Sequence, residues 1–305
     1  MTRRIPLGRR TATATVMLVL AAIGGLAPVR GPAAHAVPGA PTVPAEHVPA
    51  VRAATASVAT AAERYGWGTS LPQASDEFDY GSPAAPAKPD PVKWEQAGDE
   101  DGCWPGNGRL GGHRCAENSG VVGGVLRQVG ETNGDTGWLA SRFGQRYGRW
   151  EARVRSSETG LEGREVTERY QPLLILWPDS ERWPQDGEYD YLENDTPGGD
   201  CAQAYLHYPH DENVPVQQEW AATCGTDMTE WHTIAIEWTP DHVRGYVDGQ
   251  QTYSFSGGAD EVRRCIQCAP SMHQTIQLDS TLPDPDTPVR AAVYEVDWVR
   301  TYALD

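Results

Sequence analysis

Four acids crowd the twelve-residue stretch WPQDGEYDYLEN (Trp183 to Asn194): Asp186, Glu188, Asp190 and Glu193, with Tyr189, Tyr191 and Leu192 among them. In a regular strand Glu188 and Asp190 share one face and Glu193 points to the other. One bulged residue between Asp190 and Glu193 sets two residues opposite one and shifts the face count, so that all three acids project together. Such a cluster could do paired-carboxyl chemistry. Retaining glycoside cleavage needs two carboxyl groups roughly 5–5.5 Å apart, one attacking the sugar and the other protonating the leaving oxygen. Asp190, between the other two, could share a proton with Glu188 and tune it, since neighbouring carboxylates do not both ionise cheaply. Glu193, beside apolar Leu192, could keep a raised pKa and serve as general acid. A solvated acidic strand or a calcium site is the alternative. The aromatic neighbours Trp177, Trp183, Tyr189 and Tyr191 favour the sugar chemistry, because sugar rings stack on flat apolar surfaces.

Further candidates lie on the flanking segments. Trp177 and Trp183 bracket the turn into the acidic strand and suit sugar stacking, with core packing as the alternative. His207, in AYLHYPH, falls on the next expected strand, cross-strand from the acids, where it could hydrogen-bond sugar or carboxylate. Gln277, in MHQTIQLDS, could contact sugar hydroxyls or be an ordinary outward polar residue. Trp231 and Trp238 are expected in the core. His113 and His210 show no ligand spacing.

The elements that must hold these residues are strands. In RYGRWEARVRS, Trp150, Ala152 and Val154 alternate with Arg149, Glu151, Arg153 and Arg155, a period of two. Ile234, Ile236 and Trp238 alternate with Thr233, Ala235 and Glu237, and VRGYV and QQTYSF flank Asp248-Gly249, a strong hairpin signal. QTIQLDS and AVYEVDWVRTYAL supply late strands. No long helical periodicity and no repeat occurs. Many short strands punctuated by Pro and Gly imply an all-β sandwich or closed barrel.

The N-terminus carries Arg3, Arg4, Arg9 and Arg10, an apolar run from Val16 to Ala27 and the small-x-small site Ala34-His35-Ala36, so residues 1–36 are expected to be a signal peptide. The twin arginines fit folded export as well as ordinary secretion. Residues 37–65, rich in Ala, Pro, Val and Thr, are expected to be a flexible linker. All eleven Trp and all twelve Tyr fall from Tyr65 onward, which makes 66–305 a single domain. Loss of the signal would remove five of the 25 basic residues and none of the 42 acidic ones, leaving 20 against 42, a net charge of −22. Such a surface repels nucleic acid and anionic membrane and points to a neutral partner. Six cysteines in an exported chain favour disulfides, and sequence neighbours suggest 103–115, 201–224 and 265–268 among fifteen pairings. Cys265-Ile266-Gln267-Cys268 also has the spacing of two zinc ligands, although no second close pair accompanies it.

These motifs resemble glycoside hydrolase family 16, in the bulge-containing form of the β-1,3-glucanases (laminarinases). Trp183-Pro184, Gly187-Glu188, Asp190 and Glu193 fit its W-P-x-x-G-E-x-D-x-x-E signature. DEFDY (Asp76 to Tyr80), RYGRWEAR (Arg146 to Arg153), WHTIAIEWTPDHVRGYVDG (Trp231 to Gly249) and VYEVDWVRTY (Val293 to Tyr302) follow in the family's order. The resemblance implies a concanavalin-A-like β-jelly-roll sandwich of two antiparallel sheets with a sugar-binding cleft. It implies Glu188 as nucleophile, Asp190 as assisting acid and Glu193 as acid/base, with retained anomeric configuration. Asp297 occupies a closing-strand position where some members bind structural calcium, with the Glu77 region as a second source of ligands; a solvated or salt-bridged Asp is the alternative. Tyr189 and Tyr191 stand where the family has aliphatic residues, and Gln277 where many members have Asn. The expected protein is a secreted, extracellular, monomeric endo-hydrolase of β-1,3- or mixed β-1,3/1,4-glucan that requires no cofactor for catalysis. Its partner would be the polysaccharide, with neither nucleic acid nor, after signal removal, membrane. An agarose-type galactan hydrolase and a non-catalytic carbohydrate-binding protein are the alternatives.

Overall fold

The alternation in RYGRWEAR becomes a central strand with Trp150, Ala152 and Val154 all at most 1% exposed, packed between two sheets. The computed structural model describes residues 59–98, 102–106, 112–159, 166, 168–280 and 288–304. The strands run β1 (Trp94–Gln96), β2 (Cys103–Pro105), β3 (His113–Cys115), β4 (Ser119–Val121), β5 (Leu126–Gly130), β6 (Trp138–Gln145), β7 (Gly148–Glu158) and β8 (Tyr170–Pro178). There follow β9 (Glu188–Glu193), β10 (Cys201–His207), β11 (Gln218–Cys224), β12 (His232–Trp238), β13 (Val243–Val247), β14 (Gln250–Phe255), β15 (Met272–Ser280) and β16 (Ala292–Tyr302). A front sheet orders them β1-β6-β15-β8-β9-β10-β11, a back sheet β14-β13-β12-β7-β16-β5-β4, and β2-β3 forms a separate hairpin. All pairings within the sheets are antiparallel. The architecture is the concanavalin-A-like jelly roll that the motifs imply. Inward residues of both sheets, among them Leu174, Leu176, Leu192, Ile236, Trp238 and Tyr294, form one core.

Several local signals hold. Asp248 and Gly249 take positive φ of 50° and 68°, the primed turn joining β13 to β14, with Val247 opposite Gln250. All three neighbouring cysteine pairs form disulfides, 103–115, 201–224 and 265–268. The Cys265–Cys268 bond leaves no thiolate there for zinc. DEFDY differs from expectation: it is no strand, and only Asp76 bridges the closing strand, at Val299.

Two further expectations are revised. The signal segment 1–36 and most of the linker lie outside the described residues, but the linker's last residues are packed. Ala61–Tyr65 form a short helix, α1, whose N-cap Thr60 and Glu63 make a capping box. With Trp67 it covers Ala235, Tyr246 and Tyr302 on the outer face of the back sheet. Glu151, which points outward from β7, is therefore buried, and accepts hydrogen bonds from the backbone N–H groups of Ala61 (2.6 Å) and Ala62 (3.3 Å). The second revision concerns Asp297. It is the extra residue of a bulge in β16, and its carboxylate pairs with Arg153 at 2.8 Å. Glu77 is held by Arg300 through two contacts of 2.8 and 2.9 Å. Calcium takes roughly six to eight oxygen ligands. Carboxylates already neutralised by guanidinium groups do not make that donor set, so these residues do not fit calcium.

The buried Glu151 gives a pH prediction. Burial outweighs the two backbone hydrogen bonds and Arg300, and with Glu63 nearby it lifts the carboxyl from 4.5 to about 7. The folded state therefore holds this proton more tightly than the unfolded one. The stability it contributes is complete below pH about 4.5 and is lost as pH rises through about 7, a change of about 3 kcal/mol. Thermal unfolding of Glu151→Gln, followed between these pH values, should show a shallower decline than the parent; an identical decline would remove Glu151 as its source.

Candidate functional site

The turn into β9 fixes how the acids enter the sheet. Asp186, buried, accepts from Ser180 Oγ (2.5 Å) and from the Arg182 guanidinium through contacts of 2.9 to 3.1 Å. Gly187 follows at φ 75°, and a Cβ there would lie 2.9 Å from the His207 carbonyl oxygen. The glycine thus lets β9 approach β10 closely.

The register of β9 against β8 contains the kink expected from the acid spacing. Leu176 pairs with Tyr189 and Ile175 with Asp190; the next pairs are Leu174 with Leu192 and Leu173 with Glu193. Tyr191 is the residue left over. Without it Glu193 would face the core and Leu192 the solvent. With it, Glu193 and Asp190 lie opposite the cleft-lining Leu173 and Ile175, while Leu192 and Tyr189 are fully buried. Tyr191 turns into the core, where its hydroxyl accepts from Gln274 Nε2 at 2.6 Å, and the Tyr189 hydroxyl donates to the Ile266 carbonyl. These partners account for two tyrosines where aliphatic residues were expected.

Glu188, Asp190 and Glu193 all line one cleft of about 880 Å³ across the front sheet. On β10, His207 lies directly opposite Glu188, and Tyr205 opposite Asp190. His207 Nε2 is 3.4 Å from Asp190 Oδ2 and 4.0 Å from Glu188 Oε2. Their side chains are 14% (Glu188), 4% (Asp190) and 14% (His207) exposed. Burial, then the charges of Asp190 and Glu193, raises Glu188 well above the usual carboxylate range, with His207 working the other way. Burial and Glu193 raise Asp190 as well, against a hydrogen bond with Glu188 that lowers it. Two carboxyls buried side by side do not both ionise cheaply, so the Glu188–Asp190 pair shares a proton. Burial also raises Glu193, aided by Asp195 and Asp279 and opposed by His207. Donor atoms of Glu188, Asp190 and His207 lie within 4.8 Å of one another, close enough to hold a cation, but a metal would need both carboxyls deprotonated where desolvation keeps a proton.

The remaining expected residues are placed as follows. Gln277 and Trp177 line the cleft, on β15 and β8; the Trp177 indole donates to Glu181 at 2.9 Å. Trp183 is 40% exposed and stands edge-on to His207 with ring centres 6.3 Å apart. Trp238 is core, but Trp231 is only partly buried, with Arg153 and Arg155 over its ring at 5.1 and 4.6 Å. The sequence reading missed the wall of the cleft. Arg114, from the β2-β3 hairpin, contacts both Asp279 oxygens (2.8 and 3.0 Å) and Gln277 (2.9 Å) and lies over Trp138. Asp179 accepts from Ser271 and contacts His273 at 2.9 Å. The period of two in MHQTIQLDS places His273, Gln277 and Asp279 on one face and could have signalled the last of these; Arg114 carries no such local mark.

Fold and site together define a jelly-roll protein with a buried acid cluster on the floor of an open cleft. No family model matches the chain. A β-glucanase of Rhodothermus marinus is 31% identical over an alignment of 206 residues, a match that covers 59% of this chain and 64% of that relative's length. The solved laminarinase from Rhodothermus marinus superposes with a TM-score of 0.54 at 27% identity, covering 75% of this chain and 95% of that one. A non-specific endo-β-1,3(4)-glucanase from family GH16 shares the fold with a TM-score of 0.57 at 20% identity, covering 77% and 93%. The chain is thus similar to β-glucanases of the laminarinase kind, and it shares its fold with glucanases of glycoside hydrolase family 16.

Proposed function

We propose that the protein is a secreted, retaining endo-glycoside hydrolase of β-1,3- or mixed β-1,3/1,4-glucan. The observation that carries this reading is the bulge at Tyr191, which places Glu188, Asp190 and Glu193 on one face inside one cleft. The names of the relatives supply the substrate class. Glu188 attacks the anomeric carbon. Asp190, hydrogen-bonded to it, takes over the shared proton when the sugar binds, so that the pair supplies one negative charge for attack. Glu193, whose protonated form burial favours, gives its proton to the leaving oxygen and then takes one from the water that releases the glycosyl intermediate. An open cleft lets a chain enter along its length, which supports internal cleavage. Export rests on the segment 1–36; among the described residues no helix is long and apolar enough to cross a membrane.

The test is a product profile on laminarin, lichenan, agarose and xyloglucan, with the first-formed anomer followed by NMR. Laminarin or lichenan should be cut to short oligosaccharides whose reducing ends appear first as the β-anomer. An α-anomer first would overturn the double displacement. Cleavage of agarose alone would move the substrate to galactan, and binding without cleavage would leave a carbohydrate-binding protein.

A further inference from the structure

The front sheet does not end at the acids. β10 and β11 lie beyond β9, and their register is explicit: Tyr205 pairs with Asp190 on one side and with Trp220 on the other. Ile175, Asp190, Tyr205 and Trp220 therefore form one row across four strands. Alternation puts Gln218, Trp220, Ala222 and Cys224 of β11 on the same side as Tyr205 and His207 of β10, the side that bears the cleft. Trp220 is 55% exposed, more than any other tryptophan among the described residues. It sits two strand spacings from Asp190, about 10 Å. The edge strand that carries it is fixed, since the Cys201–Cys224 disulfide joins paired residues of β10 and β11 on this same face.

A large indole held in water on a rigid edge loses apolar hydration free energy that nothing in the fold recovers. Core packing does not explain it, because the core-side residues of β11 are Glu219, Ala221 and Thr223, opposite Leu206, Ala204 and Ala202. Continuity with the cleft does. Trp183 beside His207, then Tyr205 and Trp220, make a shelf of rings leading from the acids to the sheet edge.

We propose that Trp220, with Tyr205, is a sugar-stacking subsite for the part of a β-linked glucan chain that extends past the acids towards the β11 edge. This subsite rests on the glucanase reading and adds to it a length-dependent grip on the polymer. Its occupant is the same neutral chain held in the cleft. The apolar face of a pyranose ring covers the indole, and the indole N–H and Tyr205 hydroxyl remain at the ring's polar edge.

The test uses the full chain carrying Glu188→Gln, so that ligands persist, and measures by calorimetry the affinity for β-1,3- and β-1,3/1,4-gluco-oligosaccharides of increasing length. Adding Trp220→Ala should weaken the longest ligands by roughly tenfold, the loss of one aromatic contact. The gain in affinity with length should shrink accordingly, and Trp220→Phe should restore most of it. Equal affinities at every length with and without Trp220→Ala would overturn the subsite and leave the glucanase reading standing. Failure of the Glu188→Gln protein to bind any gluco-oligosaccharide would overturn both. An unchanged melting temperature in Trp220→Ala separates a binding loss from a folding loss.

Discussion

Glu188→Gln is expected to remove hydrolysis of laminarin and lichenan, with kcat lowered by at least about 10^4-fold, the scale seen when a covalent nucleophile is lost. The amide keeps the shape of the carboxyl and its place on β9 opposite His207. It cannot attack the sugar or accept the negative charge that Asp190 and Glu188 share. Folding should not suffer, because Glu188 is a buried acid whose ionisation is resisted by Asp190 and Glu193. A melting temperature equal to or above the parent's at neutral pH is the expected companion result. A smaller replacement, Glu188→Ala, opens room for an external anion. Added azide should then restore turnover of an activated aryl glycoside, yielding a glycosyl azide of the opposite anomeric configuration. Full activity of Glu188→Gln on every β-glucan would end the nucleophile assignment. Loss without azide rescue would leave Glu188 important but not covalent.

The legibility of the site followed the range of its interactions. The bulge at Tyr191 was readable because the chemistry requires three acids on one face and the spacing 188, 190, 193 breaks the period of two at one place. His207 was readable because the next strand must return beside β9, so that a residue in AYLHYPH falls opposite the acids. The disulfide pairs lie close in sequence, and the Asp248-Gly249 turn is local. What escaped depended on distant packing. Arg114 reaches Asp279 from a hairpin 165 residues away in sequence. Glu151 looked like an outward polar residue of β7 until α1, assigned to a linker on composition, covered it. Asp297 sits where the resemblance suggests calcium, yet Arg153 of the neighbouring strand already neutralises it. Trp220 was invisible because QEWAATC has too few apolar residues to read as a core strand, and its meaning comes only from its place in the row that contains Asp190.

Glu193→Ala separates the two carboxyl roles, because its cost should depend on the leaving group. A glucan bond leaves as a poor alkoxide and needs the proton, so kcat/KM on laminarin or lichenan should fall about 10^2- to 10^4-fold. An aryl glycoside with an acidic phenol leaves without help, and its glycosylation step should fall much less. Deglycosylation still lacks its base, so the intermediate should build up as a burst, relieved by azide, which needs no deprotonation. The pH profile carries an independent sign. Burial raises Glu193 above the usual carboxylate range, aided by Asp195 and Asp279. In the parent, kcat/KM should therefore fall on the alkaline side at a pH above that of an ordinary glutamate, as Glu193 loses its proton. On the acid side it should fall as the Glu188–Asp190 pair becomes fully protonated. Removing Glu193 should abolish the alkaline limb for the activated substrate. The acid limb should stay in place, since Glu193 is already neutral over the pH range in which the Glu188–Asp190 pair takes up its second proton. Equal losses on both substrates, with the alkaline limb intact, would place the general acid elsewhere in the cleft and leave Glu193 as one more half-buried carboxyl on β9, opposite Leu173.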